Sequence, residues 1–327
     1  MKNGLIFTLL LALLIMCIPL LSLGKSKTID KNETSSASSN HKSVTFLMLD
    51  LSQNKVISAD EKDFLIGAVA CEMPLSYHKE ALKAQAVSTY TYSIRLKKQQ
   101  EQAKSEELLG AYFTVDTKNY VGYATKDQLK ERFGANFDLY YKKLDEAVNE
   151  VLGQIMTYES EPILAAYHAI SNGKTETAGN SWGSDLPYLQ AADSQGDIIC
   201  ADYESKVTIP KDELANTLKS KFPDIIFPED LSRLFENIEK SASGTVLNVT
   251  IGETKIKGSE IRTLFKLRSP TFSVQFKDNS FIFTVLGYGH GVGMSQNGAD
   301  FMARQGSSYK EILAHYYNGV ELGVLLS

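Results

Sequence analysis

An almost unbroken apolar run, LIFTLLLALLIMCIPLLSL from Leu5 to Leu23, constrains this chain more than any other feature. Nineteen helical residues at 1.5 Å rise span about 28 Å, close to the hydrocarbon thickness of a bilayer. Lys2 precedes the run, and Lys25 and Lys27 follow it. A secretory signal has a shorter apolar core and a small-residue cleavage site, and LLSLG is a poor match to one. Residues 1–24 are therefore expected to be an uncleaved transmembrane signal-anchor, with a cleaved signal peptide as the alternative. No other segment approaches eighteen apolar residues, so the rest of the chain is expected to lie on one side of the membrane, outside the cytoplasm. Residues 25–43 are polar and Ser-rich and read as a flexible linker. Residues 44–327 are left to fold as the body.

That body has the means to bury a core. The 327-residue chain is 43% hydrophobic and 22% charged, which excludes wholesale disorder. Its net charge of -5 argues against nucleic acid as a partner. The three cysteines, Cys17, Cys71 and Cys200, form no CxxC pair. Strands are expected at Val44–Leu51, Ala111–Asn119, Ile155–Tyr158, Ile163–Ala169, Thr245–Ile251, Thr271–Phe276 and Ser280–Val285. Helices are expected at Asp60–Cys71, Ser76–Gln102, Asp127–Gly134, Leu139–Val151, Pro210–Phe222, Leu231–Ile238 and Ser308–Tyr317. Without a regular βαβ beat, this order predicts an α+β body with mostly antiparallel strands around one groove. The texture changes after Cys200, and about 201–270 reads as a subdomain or insertion.

Three segments carry chemistry. In the first, Gly67 to Arg95, Leu65, Ala68 and Val69 set an apolar stripe on which Glu72 falls at the C-terminal end of a helix. Desolvation and the negative end of the helix dipole both disfavour an ionised carboxylate there. A carboxylic acid kept protonated near neutral pH suits general-acid work; a partly exposed helix-end glutamate is the plainer reading. In the second, Ala165 to Ser194, His168 ends an apolar strand before the polar turn Ser171–Thr175. Trp182, Pro187 and Tyr188 follow, and polar groups beside flat aromatic faces suit sugar rings. The third, Gly287 to Tyr317, packs five glycines around His290, which permits tight turns or close approach of backbone to a ligand. It is neither a Walker A loop nor a dinucleotide fingerprint.

Taken together, Glu72-Met73-Pro74, Glu80 to Val87, His168 to Glu176, Leu267 to Ser269, Gly289 to Ala299 and Gln305 to Tyr317 resemble the stage II sporulation protein D family of endospore-forming bacteria. That family comprises membrane-anchored lytic transglycosylases of cell-wall peptidoglycan. The resemblance implies that Glu72 is the acid/base that cleaves between N-acetylmuramic acid and N-acetylglucosamine, leaving 1,6-anhydro ends. It implies glycan strands stripped of stem peptides as substrate, stage II sporulation proteins P and M as partners, and septal wall remodelling and engulfment as the setting. Lys83, Gln85, Tyr92, His168, Ser171, Tyr188, His290, Ser295 and Gln296 are the candidate sugar-binding residues. No cofactor or metal is expected. Two departures stand out. Tyr90 occupies a place where the family usually carries Arg. Asn297 stands where Tyr is usual, and it is expected to alter a wall of the groove. Rival readings are a cysteine hydrolase built from Cys71 with His168 or His290, and a non-catalytic wall-binding activator of an amidase.

Overall fold

The computed structural model describes residues 43–325. The expected anchor and most of the linker lie outside the described residues. Among the described residues, no helix is long and apolar enough to cross a membrane.

The body is α+β. Strands β1 (Thr45–Asp50) and β2 (Lys55–Asp60) form an antiparallel hairpin. Helix α1 (Glu61–Glu72) starts where the Asp60 side chain accepts the Asp63 N–H, a standard N-cap. Phe64 through Ala70 are all buried, so α1 is a central helix covered on every side and not the one-striped helix the sequence suggested. Gly67 permits this: a Cβ there would lie 2.2 Å from the Ala124 carbonyl oxygen. The helix stops as Met73 turns extended ahead of Pro74. Helix α2 (Lys79–Gln102) begins at His78, whose side chain accepts the Glu80 N–H.

Strand β3 (Phe113–Val115) adds parallel to β1. Helices α3 (Lys126–Phe133) and α4 (Phe137–Asn149) follow, α3 opened by a Thr125–Gln128 capping box. Strands β4 (Gln154–Tyr158) and β5 (Glu161–Pro162) form a short hairpin. Of the strand expected over Ile163–Ala169, only β6 (Tyr167–His168) pairs, and α5 (Ala178–Trp182) is one short turn.

A second hydrophobic cluster gathers Ile209, Leu214, Val249, Phe272, Phe281 and Phe283 with their neighbours. Its elements are β7 (Glu204–Pro210), α6 (Lys211–Lys221), β8 (Phe235–Lys240), β9 (Val246–Ile251), β10 (Thr254–Lys257), α7 (Gly258–Leu264), β11 (Phe272–Lys277) and β12 (Ser280–Leu286). They make two antiparallel three-stranded sheets, ordered β10-β9-β8 and β11-β12-β7. The β11–β12 hairpin turns at Asp278 and Asn279, both at positive φ, as a tight hairpin demands. The helix expected over Leu231–Ile238 is corrected. Only Leu231–Arg233 coils, and Phe235–Lys240 pairs with β9 instead. Two backbone carbonyls tie this cluster to the second sequence segment: that of Ser243 accepts Asn172 Nδ2, and that of Thr175 accepts the Ser243 hydroxyl.

The chain then returns to the first core through β13 (Met294–Ser295), α8 (Gln296–Arg304), α9 (Tyr309–Tyr316) and β14 (Glu321–Val324). Strand β14 pairs with β4. Apart from β1–β3 and β6–β13, every strand pair is antiparallel among the described residues.

Candidate active site

Backbone pairing brings the second and third segments together. Strand β6 lies parallel to β13, with Tyr167 opposite Met294 and His168 opposite Ser295. Ile170 bridges Tyr288, and Glu176 bridges Val292. Gly289, at φ 118°, is required by this approach, because a Cβ there would lie 2.7 Å from His168 Cβ. The first segment joins at Tyr167. Its phenol bonds Thr89 of α2 and lies in the field of Glu72 at the end of α1.

Glu72 is half-buried, and among the described residues it has neither an ion-pair nor a hydrogen-bond partner. Burial pushes its carboxyl above the ordinary glutamate value. The C-terminal end of α1 acts in the same direction. Burial, and then the charge of Glu72, raise the Tyr167 phenol far beyond the physiological range, so it remains a neutral donor.

Two cavities meet close to Tyr167, which lines the smaller; Glu72 itself lines neither. The smaller, about 270 Å³, is lined by Tyr92, Leu164, Ala165, Ala166, Tyr167, Trp182 and His290. The larger, about 570 Å³, runs between the Gly179–Gly183 turn and the second cluster, where Thr245–Asn248, Lys257, Ser259, Arg262 and Pro270 line it. Trp182 and His290 border both, so the two read as one groove crossed by a low ridge. Cavities of this size fit extended organic ligands.

Both histidines are neutral. The Val292 N–H donates to His290 Nδ1 at 3.1 Å, which leaves that nitrogen without a proton. His168 Nδ1 faces the Val292 carbonyl at 3.1 Å and must carry the proton, because a carbonyl only accepts. Burial lowers His168 to about 4 and His290 to about 3. They orient; they do not supply protons near neutral pH.

The other predicted residues divide sharply. Tyr92, 36% exposed, and Trp182, 44% exposed, stand in the groove with His290. Ser171 lines a narrow cleft near His290, but its hydroxyl is committed to buried Asp197. Ser295 also donates to Asp197 and caps α8. Gln85 and Gln296 form a buried amide pair, with Gln296 Nε2 donating to Gln85 Oε1 at 3.2 Å. The Tyr188 hydroxyl accepts the Leu164 N–H and its ring packs on Tyr158. Lys83 is held by Glu80 and Glu150. Asn297 bonds Gly196 and Asp197 and does not line either cavity, so it is no groove wall. Tyr167 and Arg262 were missed. Tyr167 directly precedes His168 on the strand, which was the available signal. Arg262 had none, since its helix was not read.

Nucleophile and second-carboxylate alternatives fare poorly. Cys71 and Cys200 are free thiols, and burial pushes Cys71 up to about 12, so it does not ionise at neutral pH. Glu176 is buried and saturated: it accepts from the Thr177 N–H, Asn180 Nδ2 and the Ser241 hydroxyl. Asp185 packs against Gly179, and Asp193 is exposed. No Asp or Glu lines either cavity, Glu72 included; Glu72 connects to the groove through Tyr167, whereas none of Glu176, Asp185 and Asp193 does.

Comparison with known proteins gives a consistent picture. Residues 51–158, which include Glu72 and all of α1 and α2, match the family model described as Stage II sporulation protein. The chain is 33% identical over 271 residues to Stage II sporulation protein D of Bacillus amyloliquefaciens, covering 83% of this chain and 76% of that protein. It is 33% identical over 262 residues to the protein of the same name from Bacillus subtilis (strain 168), covering 80% and 74%. A more distant relative, Amidase enhancer of Bacillus subtilis (strain 168), is 26% identical over 306 residues, covering 79% of this chain and 40% of that protein.

Proposed function

This chain belongs to the stage II sporulation protein D family, and on that premise we propose that it is a lytic transglycosylase of peptidoglycan with Glu72 as its single acid/base. The observation that carries this reading is the state of Glu72. It is a half-buried carboxyl with no ion-pair or hydrogen-bond partner among the described residues, shifted by burial towards its protonated form, and when ionised its charge reaches Tyr167, which lines an aromatic groove. Glu72 protonates the oxygen between N-acetylmuramic acid and N-acetylglucosamine, and the C1–O bond breaks. The resulting carboxylate takes the proton from the C6 hydroxyl of the same muramic acid. That oxygen bonds to C1 and closes a 1,6-anhydro ring. The acid is regenerated and no water is consumed, so the second carboxylate that hydrolytic glycosidases use is not needed. Trp182, Tyr92 and Tyr167 offer faces for sugar rings, and neutral His290 fixes their orientation.

In the same reading residues 1–24 anchor the protein in the membrane, the 25–43 segment tethers the body outside the cytoplasm, and stage II sporulation proteins P and M are its partners in engulfment. The test is release of glycan fragments from isolated sacculi. Wild-type protein is expected to release them, and Glu72→Gln to be at least about 10²-fold slower with an unchanged circular dichroism spectrum.

The relative named Amidase enhancer favours a second reading, in which the groove binds wall glycan only to stimulate an amidase. Under that reading purified protein alone would leave sacculi uncut, and Glu72→Gln would still stimulate the amidase.

A further inference from the structure

Resting on the glycan-cleaving reading above, we propose that Arg262 and Lys257 form a carboxylate-binding subsite in the larger cavity, one that holds an acidic group carried by a muramic acid near the bond that is cut.

The cavity is lopsided in charge. Lys257 and Arg262 line it, and no Asp or Glu does. Arg262 is half-buried and has no ion-pair or hydrogen-bond partner among the described residues. A guanidinium does not escape desolvation by losing its proton, so an unpaired, partly buried arginine is costly until an anion meets it. Arg268, nearby in sequence, is different: it reaches Asp202 and stacks on Tyr288. Among the described residues, Arg262 is thus an arginine without an internal hydrogen-bond or ion-pair partner. Its planar fork matches a carboxylate, and exposed Lys257 adds a second positive charge. Asn180, Asn248 and Ser259 supply neutral polar groups on the same walls.

Position completes the case. The cavity shares Trp182 and His290 with the smaller one, where Tyr167 feels Glu72. A strand that crosses this ridge therefore places sugars on both sides. N-acetylglucosamine carries no acid. Muramic acid carries a lactyl group whose carboxylate is free when the stem peptide is absent. When the peptide is attached, that group is an amide and the peptide brings carboxylates of its own. The subsite recognises the carboxylate, which distinguishes muramic acid-bearing strands from chitin-like ones.

The test measures binding without cleavage, using the full chain carrying Glu72→Gln. Three probes of equal length are compared: a chitin oligomer, a peptide-free peptidoglycan oligomer and one bearing stem peptides. One acidic oligomer is expected to bind about tenfold tighter than the chitin oligomer, in line with a charge-assisted hydrogen-bonded contact. Adding Arg262→Gln or Lys257→Gln is expected to bring that affinity down to the chitin level and leave chitin binding unchanged, and Arg262→Lys to keep part of the preference. Preference for the peptide-free oligomer identifies the lactyl carboxylate, and preference for the peptide-bearing one identifies the peptide's. Equal affinity for all three, or a preference that survives both Gln variants, overturns the proposal. Lys257 is exposed, so its variant remains informative should Arg262→Gln misfold. Oligomers recovered intact show that the affinities report binding alone; oligomers found cut by the Glu72→Gln protein would count against Glu72 as the acid and not against the subsite, whose test remains the dependence of affinity on Arg262 and Lys257.

Discussion

His290 meets Trp182 edge-on, with ring centroids 5.3 Å apart and planes 60° from parallel. The contact fixes the indole at the junction of the two cavities, although the indole is exposed enough to touch a ligand.

Trp182→Ala is expected to weaken glycan binding about tenfold, since stacking on an aromatic face contributes on the order of 1 kcal/mol or more. Being exposed, the side chain adds little to the core, and Tm should move by no more than a few degrees. Calorimetric titration with a glycan oligomer, together with a thermal melt, checks both halves.

The histidine pair makes the fold acid-sensitive. His168 and His290 lie 5.8 Å apart between ring centroids, and burial holds them near 4 and 3, below the ordinary 6.5. The unfolded chain therefore binds more protons than the folded one as pH falls below 6.5, and stability drops from there towards pH 4. Each histidine adds at most about 1.4 kcal/mol per pH unit to that slope. His290→Gln should flatten the dependence of Tm on pH between 4 and 6.5. An unchanged slope would refute the neutral-pair description.

Glu176 is a structural carboxylate. Glu176→Ala removes the acceptor for three donors, among them the Ser241 hydroxyl near the second cluster. The loss should be about 2–4 kcal/mol by denaturant titration. Glu176→Gln, which keeps one acceptor oxygen, should be milder and should leave the chemical nature of the glycan ends unaltered.

The elevated carboxyl of Glu72 has a stability consequence of opposite sign to the usual acidic residue. A raised folded value means that its favourable contribution is complete below the ordinary 4.5 and is lost as pH rises through the folded value. Glu72→Gln should therefore gain stability relative to wild type as pH increases above 4.5. Catalysis should share that titration, with kcat/KM falling as the acid ionises. Parallel melts and pH–rate profiles of the wild type, with the variant as reference, test both.

Long periodic elements were legible in the sequence: α2, α4, α6 and the β11–β12 hairpin lie within a few residues of where pattern and turn chemistry put them. Helix α8 was not read, because Gly298 breaks its pattern; that glycine is needed for space, as a Cβ there would lie 2.2 Å from Ser194 Oγ. Phe235–Lys240 carried helical spacing but became a strand, since β9 offers it an edge to pair with. Of the residues lining the groove, His290, Trp182 and Tyr92 stand out in the sequence through their local motifs. Gln85, Gln296, Ser171 and Ser295 are polar residues within the same motifs, and only three-dimensional packing reveals that they bond one another and Asp197. Arg262 lies eighty positions beyond Trp182 and shares a cavity with it only after the second cluster docks.

The central claim is a single acid that closes an anhydro ring, and the new glycan ends report on it most directly. Fragments released from peptide-free strands can be reduced with borohydride and weighed by mass spectrometry. Reducing ends gain mass from added hydride, whereas 1,6-anhydro ends do not. The account predicts that nearly all new ends made by the wild-type protein resist reduction, and that Glu72→Gln makes almost none of either kind. A digest in which most new ends take up hydride would contradict it, since water and a second carboxylate would then be working beside Glu72.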